Sequence, residues 1–272
     1  MAILTDYHLH TSHSTDSDEP MENMILKSID LGLKQICFTE HMDMDYPSEE
    51  GDPKGQFLVN TDSYLFDLIR YKEKYADKIK VLFGIELGLQ PHLSRENARY
   101  IKEYDFDFVI ASSHVCNKRD PYLPSFYEGR TEEEAYREYF SSIIDNLKCF
   151  SNFDVYGHLD YVVRYGPNKD RNYSYEKYKD LLDRILETLL EKEKGIEINT
   201  GGLKRGILEP HPCAGVLKRY RELGGEIITV GSDAHDAAHI ADEFKRAGEL
   251  LTECGFKYYT TFEKRMPEFH KI

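Results

Sequence analysis

Features that the sequence lacks limit the classes of protein it can belong to. It has no apolar run near the roughly 20 residues that a transmembrane helix needs. It has few basic residues for its size, 35 Lys and Arg against 49 Asp and Glu, which gives a net charge of −14. A broad basic face is therefore missing, and this argues against a nucleic-acid partner and against binding to an anionic membrane surface.

The five cysteines do not form a CxxC pair or a regular spacing. Their odd number in a long chain argues against a disulfide framework and predicts reduced thiols and a cytoplasmic location. The first residues, 1–6, contain neither a charged n-region nor a long apolar h-region, so no signal peptide is predicted. The chain has no internal linker or low-complexity run, and we expect residues 1–272 to form a single domain.

Short apolar segments alternate with amphipathic ones along the chain, which is the pattern of a parallel sheet covered by helices. Strands are predicted over 3–8, 35–39, 79–85, 106–111, 155–159, 195–199 and 227–230, with a marginal eighth over 256–262. Helices are predicted over 21–31, 62–75, 94–104 with Ser94 as N-cap, 131–147 with a capping box at Thr131–Glu134, 174–192, 216–223 and 240–253. The polar segment 42–60 is predicted to be a long loop.

Residues that bind metals recur at or after the C-terminal ends of these predicted strands. His8 and His10 are two residues apart at the end of the first strand, so their side chains can converge on one ion. The other candidates are Asp16, His41, Glu86, His114, His158, Asp160, Asp233 and His235. A doubly wound sheet collects its site at one switch point, whereas a barrel brings every strand end to one mouth. The distribution therefore predicts an α/β fold, a seven-stranded or distorted (β/α) barrel.

Leaving Asp160 aside, nine nitrogen or oxygen donors remain, more than one ion needs. Mixed imidazole and carboxylate ligands suit Zn²⁺, Fe²⁺ or Mn²⁺, and nine of them indicate two or three ions that share a bridging carboxylate. His13 is close enough in sequence to support a ligand, and His211 could line the mouth. The remaining histidines, His92, His239 and His270, are predicted to lie on the surface.

Several short motifs, in order along most of the chain, resemble those of the PHP (polymerase and histidinol phosphatase) superfamily. They are His8-Leu-His10, Thr39-Glu-His41, Gly84-Ile-Glu86, Ser112-Ser-His114, Gly157-His-Leu-Asp160 and Gly231-Ser-Asp-Ala-His235. Asp16, eight residues after the first histidine, and the segment 198–203 are similar to the branch of monofunctional histidinol-phosphate phosphatases.

This resemblance implies a distorted (β/α)7 TIM-like barrel of the PHP fold with a trinuclear site. The first metal would take His8, His10, Glu86 and Asp233, the second Glu86 as a bridge with His114 and His158, and the third Asp16, His41 and His235. The implied reaction is hydrolysis of L-histidinol phosphate to L-histidinol and phosphate, a step of histidine biosynthesis, by metal-bound hydroxide. The implied partner is a small phosphate monoester; the oligomeric state and the native metals are left open.

The resemblance also implies basic residues for the substrate phosphate. Arg164 is at one expected position. The related phosphatases usually have Gly-Leu-Arg-Lys at the other, and this chain has Gly202-Leu-Lys204-Arg205, so either Lys204 or a shifted Arg205 would bind.

Asp160 and His235 are candidates for proton delivery to the leaving alcohol, and Asp160 could instead orient His158. Acidic residues between Asp43 and Asp52 could meet the amine of the substrate or be solvated.

Three alternatives are weighed against this hypothesis. Another PHP phosphoesterase could act on nucleotides or other small phosphate esters, although the sequence lacks the basic track of a polymerase-linked exonuclease. A PHP protein that has lost catalysis would be expected to lose donors, and the set here is nearly complete. A barrel metallohydrolase acting on amides commonly uses a bridging lysine, and no lysine lies at a matching strand end.

Overall fold

A parallel sheet forms the centre of the molecule. The computed structural model describes residues 3–47 and 55–272. In chain order the strands are β1 (Thr5–Leu9), β2 (Gln35–Phe38), β3 (His41–Met42), β4 (Lys80–Gly88), β5 (Phe108–Ser112), β6 (Val155–Tyr156), β7 (Gly195–Asn199), β8 (Ile228–Gly231), β9 (Tyr258–Glu263) and β10 (Met266–Lys271). Strands β1, β2, β4, β5, β6, β7 and β8 pair in that order, all parallel, and β3 adds to β4.

The sheet closes on itself at the C-terminal ends of its strands. The backbone N–H of Asp233 donates to the carbonyl of His8, and that of His10 to the carbonyl of Ala234, both at 2.9 Å. These two bonds join the residues after β8 to β1. The distorted seven-stranded barrel predicted from the sequence is therefore confirmed.

Helices connect successive strands around the barrel. They are α1 (Met21–Asp30), α2 (Thr61–Lys74), α3 (Ser94–Glu103), α4 (Glu132–Cys149), α5 (Lys179–Glu191), α6 (Ala214–Glu222) and α7 (Phe244–Glu253). The predicted capping box is confirmed at the start of α4, where Thr131 Oγ1 accepts from Glu134 N at 3.2 Å and the Glu134 carboxylate accepts from Thr131 N. Within the described ranges, each helix is too short or too polar to cross a bilayer.

Several predicted boundaries were wrong, for local reasons. Ser94 is the first helical residue of α3 rather than its cap, because a 3₁₀ turn at Pro91–Leu93 precedes it. The helix predicted from 240 begins at Phe244, since Ile240 is extended and the next backbone N–H, of Ala241, donates to the buried carboxylate of Asp6. The predicted loop 42–60 overlaps β3, and its residues 48–54 lie outside the described part of the chain.

The predicted eighth strand is not part of the barrel. It forms β9, which pairs with β10 in a separate antiparallel hairpin across the N-terminal end of the barrel. Tyr7 Oη donates to the carbonyl of Phe262 at 2.8 Å, and the Phe262 ring stacks on Phe108 at 5.2 Å. Arg265 on the same hairpin pairs with Asp154, just before β6, at 2.5 Å. The hairpin therefore closes the end of the barrel opposite the predicted site.

Replacing Phe262 with alanine should destabilise the barrel from this end. Loss of a buried aromatic ring in a packed core costs about 3–5 kcal/mol, and Phe262 is 3% exposed. Phe269 on β10 is 47% exposed and provides a matched control, whose alanine variant should change the free energy of unfolding by less than about 0.5 kcal/mol. Urea unfolding of both variants measures the difference; equal small losses would show that the hairpin does not contribute to the core.

Candidate metal centre

Glu86 lies at the centre of the clustered donors and is fully buried. It lies inside β4 rather than at its end. His41 of β3 pairs with Glu86 of β4, and β5 pairs with β4 as far as Gly88, so the strand continues past Glu86. Its Oε2 lies 3.2 Å from His8 Nε2 and 3.5 Å from His10 Nε2. Its Oε1 lies 2.8 Å from His158 Nε2 and 3.1 Å from His114 Nε2. The two oxygens of one carboxylate thus face two separate pairs of imidazoles.

Asp233 completes the group on the Oε2 side. Its Oδ1 lies 3.8 Å from His8 Nε2 and 3.6 Å from His10 Nε2. The three ligand atoms of His8, His10 and Asp233 lie within 4.8 Å of one another, as do those of His8, Glu86 and His158. The structure therefore brings together the residues assigned by resemblance to the first two metals.

The residues assigned to the third metal lie beside this pair of groups. Asp16 Oδ2 is 3.0 Å from His235 Nε2 and 3.6 Å from His41 Nε2. The rings of His41 and His235 each stack on His10 with centroids 4.3 Å apart. His41 also faces Glu86 through Nδ1 at 3.0 Å. All nine predicted donors therefore converge on one region at the mouth of the barrel.

Buried side chains that sequence reasoning missed orient these imidazoles. Glu197 on β7 accepts a hydrogen bond from His8 Nδ1 at 2.7 Å, and Asp43 accepts one from His114 Nδ1 at 2.8 Å. A carboxylate bound at Nδ1 leaves the Nε2 lone pair free for a metal, and such partners fix the ring direction. Glu197 could have been found from the sequence. It is a carboxylate two residues before Asn199, the last residue of β7, so its side chain lies on the same face of the strand. Asn199 itself contacts both Glu197 and His8.

The donor set fits divalent metal ions. His8 Nε2, His10 Nε2 and Glu86 Oε2 are buried polar atoms without a hydrogen-bond partner, a costly arrangement unless another ligand binds them. Burial and the neighbouring histidines lower the pKa of His10 well below its usual value, which keeps the ring neutral as a ligand requires. Burial would raise the pKa of Glu86, but the adjacent histidines hold it well below the usual range. Nitrogen and oxygen ligands of this kind suit Zn²⁺, Fe²⁺ and Mn²⁺.

A cavity of about 430 Å³ opens above the donors. Arg164 lines it, and the guanidinium donates to Asp233 Oδ2 from Nη1 at 3.1 Å and from Nη2 at 3.2 Å. Arg205 also lines it, over the ring of Tyr165 at 5.6 Å. Lys204 contacts the carbonyl of Asp233 through Nζ at 3.5 Å. Of the two predicted candidates for the substrate phosphate, Arg205 lines the cavity and Lys204 is directed to the backbone of Asp233.

The wall of the same cavity is aromatic and acidic. It is lined by Tyr46, Tyr122, Tyr161 and Tyr165 together with Asp120. Tyr46 Oη donates to Asp120 Oδ2 at 2.5 Å and the backbone N–H of Tyr122 to Oδ1 at 2.7 Å. The cavity thus joins a cationic side near the donors to an anionic, aromatic side.

The prediction that Asp160 orients His158 is wrong. Asp160 Oδ1 instead accepts from His211 Nδ1 at 2.5 Å, because a 3₁₀ turn at Tyr161–Arg164 follows it directly and its other oxygen accepts from the backbone N–H of Cys213. His211 is buried behind Arg164 and does not line the main cavity.

His13, Asp43 and His92 lie outside the group of donors. His13 does not support a ligand, since its ring pairs with Asp67 at 3.2 Å. Of the acidic residues expected near a substrate amine, Asp43 is bound to His114, and those at 48–54 lie outside the described residues. His92 lies on the surface as predicted.

Comparisons with known proteins agree with this arrangement. The PHP domain family matches residues 6–201. A histidinol-phosphatase of Lactococcus lactis subsp. lactis is 35% identical over 258 residues, 94% of this chain and 93% of that protein, and a probable histidinol-phosphatase of Clostridium acetobutylicum is 34% identical over 98% of this chain and all of that protein.

Solved structures extend the likeness to three dimensions. The crystal structure of the Lactococcus lactis histidinol phosphate phosphatase, complexed with Zn, L-histidinol and phosphate, superposes with a TM-score of 0.86 at 33% identity and covers 98% of this chain and 99% of that one. A putative histidinol phosphatase from Listeria monocytogenes shares the fold with a TM-score of 0.77 at 18% identity. This chain therefore belongs to the PHP domain family, among its histidinol-phosphatases.

Proposed function

We propose that this protein hydrolyses L-histidinol phosphate to L-histidinol and inorganic phosphate in histidine biosynthesis. The observation that carries the proposal is one cavity in which nine metal-type donors, all buried except Asp16 and His235, lie beside Arg164 and Arg205 and opposite an acidic aromatic wall. The relative from Lactococcus lactis, which was crystallised with Zn, L-histidinol and phosphate, supports the same substrate.

The donors divide into three groups that would hold three divalent ions. The proposed ligands are His8, His10, Glu86 and Asp233 for the first, Glu86, His114 and His158 for the second, and Asp16, His41 and His235 for the third. Such ions supply Lewis-acid chemistry, lowering the pKa of a water molecule and neutralising phosphate oxygens. Three divalent ions would carry about +6 and their three carboxylate ligands about −3, so the ions and their direct ligands would together be cationic by about +3. This local charge would attract phosphate to a chain of net charge −14.

The chain's own cations orient the phosphate. Arg164 presents a planar fork that can bind two phosphate oxygens, and Arg205 approaches from the rim beside Tyr165. Of the two predicted candidates for proton delivery, only His235 lines the cavity, whereas Asp160 is enclosed by His211 and Cys213. Asp160 is therefore not placed to give a proton to the leaving oxygen, and His235 is the candidate that the cavity retains.

Asp120 is proposed to bind the ammonium group of the substrate. Asp120 is 6% exposed, and burial raises the pKa of its carboxyl because it penalises the charged form. A substrate cation beside the carboxylate offsets that penalty, which favours binding of an ammonium group there. The tyrosines around it provide flat apolar surfaces for an imidazole ring. This assignment replaces the acidic loop residues considered from the sequence.

Replacing Asp120 with asparagine should therefore change substrate preference more than chemistry. A hydrogen bond to a charged group contributes about 1.5–3 kcal/mol, so kcat/KM for L-histidinol phosphate should fall about 10- to 100-fold. For an aryl phosphate without an amine it should change less than about 3-fold. Asp45, on the outside and paired with His92, gives the control variant D45N. Equal losses on both substrates would contradict a role for Asp120 in binding the amine.

The domain organisation and location are proposed on related grounds. Strands from Thr5 to Gly231 form one barrel and the hairpin of β9 and β10 packs on its end, which supports a single metallophosphatase domain over 1–272. The cysteines are free, and Cys37, Cys116, Cys213 and Cys254 are buried. Free thiols support function in the reducing cytoplasm.

Phosphate release from L-histidinol phosphate is the direct test. It is compared with release from a nucleoside monophosphate and from an aryl phosphate, using metal-replete and chelator-treated protein. Turnover that is chelator-sensitive and selective for L-histidinol phosphate is expected. Equal turnover of all three esters would still support a metal-dependent phosphatase. It would contradict L-histidinol phosphate as the specific substrate and favour a PHP phosphoesterase of broader specificity.

A further inference from the structure

The guanidinium of Arg164 is held by contacts at each of its nitrogen atoms. Besides the bonds to Asp233, Nη2 donates to Asn199 Oδ1 at 3.4 Å. The remaining nitrogen, Nε, donates to Nε2 of His211 at 3.4 Å. A guanidinium can only donate, so Nε2 of His211 must carry the lone pair that accepts this bond.

Asp160 determines which nitrogen of His211 carries the proton. The two side chains are each 1% exposed, and Asp160 Oδ1 lies 2.5 Å from His211 Nδ1. The other oxygen, Oδ2, accepts the backbone N–H of Cys213 at 3.0 Å. Because a carboxylate accepts, the imidazole proton is on Nδ1, and Nε2 is left free to accept from Arg164.

The backbone of His211 is fixed to the same strand end that holds Arg164. Asn199 N donates to the His211 carbonyl at 2.7 Å, and His211 N donates to the Asn199 carbonyl at 2.9 Å. The side chain of Asn199 contacts Arg164 as described above. A buried chain of contacts therefore runs from Asp160 through His211 to Arg164 and is anchored on β7. None of its three residues is one of the nine metal-type donors.

We propose that Asp160 and His211 are positioning residues for phosphate binding. Nε2 of His211 accepts a hydrogen bond from Nε of Arg164, which fixes the direction of the guanidinium. Its Nη1 and Nη2 atoms then lie beside Asp233, where both can donate to a phosphate bound in the cavity. The inference rests on the proposed function, since it takes phosphate as the ligand of Arg164. If His211 Nε2 no longer accepts, the long side chain of Arg164 becomes free to move. A displaced guanidinium then binds phosphate more weakly, because its two Nη atoms no longer match two phosphate oxygens.

The variant D160N tests the tautomer directly. Asparagine has a similar size but only one side-chain oxygen, whereas Cys213 N–H and His211 Nδ1–H need two acceptors. With the amide nitrogen facing Nδ1, the imidazole proton moves to Nε2 and opposes the Nε–H of Arg164. The inhibition constant of inorganic phosphate and the KM of L-histidinol phosphate should each rise about 10-fold, with kcat changed less than about 3-fold.

A second variant and a spectroscopic measurement separate positioning from folding. H211F retains a ring and removes the acceptor, so it should weaken phosphate binding as much as D160N. If Asp160 acts through His211, the double variant should be no worse than H211F alone. The ¹⁵N shifts of His211 should report an Nδ1–H ring in the natural protein and an Nε2–H ring in D160N. Asp170, which accepts the backbone N–H of Leu208 nearby, gives the matched control D170N, expected to leave phosphate binding unchanged.

The outcomes distinguish this inference from the proposed function. If R164A weakens phosphate binding but D160N and H211F do not, the positioning role is wrong and the function stands. Additive losses in the double variant would also overturn it. If the natural protein hydrolyses an aryl phosphate but not L-histidinol phosphate, and D160N still weakens inhibition of that hydrolysis by inorganic phosphate, the positioning role stands and the proposed substrate is wrong.

Discussion

Replacing Glu86 with glutamine is expected to lower kcat by at least about 10³-fold and to remove roughly two of three metal equivalents. The reason is the division of its two oxygens, one facing His8 and His10 and the other facing His114 and His158. Glutamine keeps one oxygen and places an amide donor before the other pair of imidazoles. Elemental analysis of the purified variant beside steady-state kinetics checks both parts.

A buried carboxylate far from the site provides the control for this experiment. Asp154 lies at the opposite end of the barrel, where it accepts from Val109 N and pairs with Arg265. D154N should reduce stability and leave the metal content unchanged. If E86Q lost only one equivalent, Glu86 would be a ligand of a single ion. If it kept all of its metal and lost activity, the assignment of Glu86 as a bridge would be wrong.

The barrel could be predicted because its signals are local. Strand β7 runs over Gly195–Asn199 as expected, and the capping box at Thr131–Glu134 starts α4. Each needs only a few neighbouring residues to be recognised. Alternating strands and helices predict a parallel sheet, and donors at nearly every strand end favour a barrel, because a barrel brings all strand ends to one mouth. That is why residues as distant as His8 and Asp233 could be grouped without coordinates.

The supporting contacts could not be predicted because they join distant parts of the chain through side-chain direction. Asp160 is two residues from His158 but binds His211, 51 positions away. Asp120 meets Tyr46 across 74 positions, in segments that the sequence shows only as polar loops. The sequence predicts that strand β4 ends at 85, because its apolar run meets the charged Glu86 there. Pairing with β3 and β5 outweighs that local preference.

Metal removal should lower thermal stability as well as abolish activity. Without metals, the buried carboxylates and imidazoles face one another with unpartnered atoms, and a ligand that binds the native state tightly contributes several kcal/mol. We expect chelator-treated protein to melt at least about 8 °C lower, since about 2–4 °C corresponds to each kcal/mol in a chain of this size. Adding Zn²⁺ or Mn²⁺ back should restore the melting temperature.

The stability lost on metal removal should depend on pH in a definite direction. In the metal-free site, burial lowers the pKa of His114, but Asp43 and Glu86 raise it from 6.5 to about 10 overall. This group therefore stabilises the metal-free protein fully below about pH 6.5, and the contribution is lost as the pH rises through 10. Protons and metals compete for the same imidazoles, so the metal-bound form gains as the pH rises.

The difference in melting temperature between metal-replete and metal-free protein should therefore widen from pH 6.5 to pH 9.5, as measured by scanning fluorimetry. The Phe262→Ala variant is the control, because its cavity at the far end of the barrel should lower both melting temperatures equally. A difference that narrows with rising pH would mean that the clustered imidazoles do not hold the ions. The donors would then be a buried polar network, and the proposed chemistry would need another site.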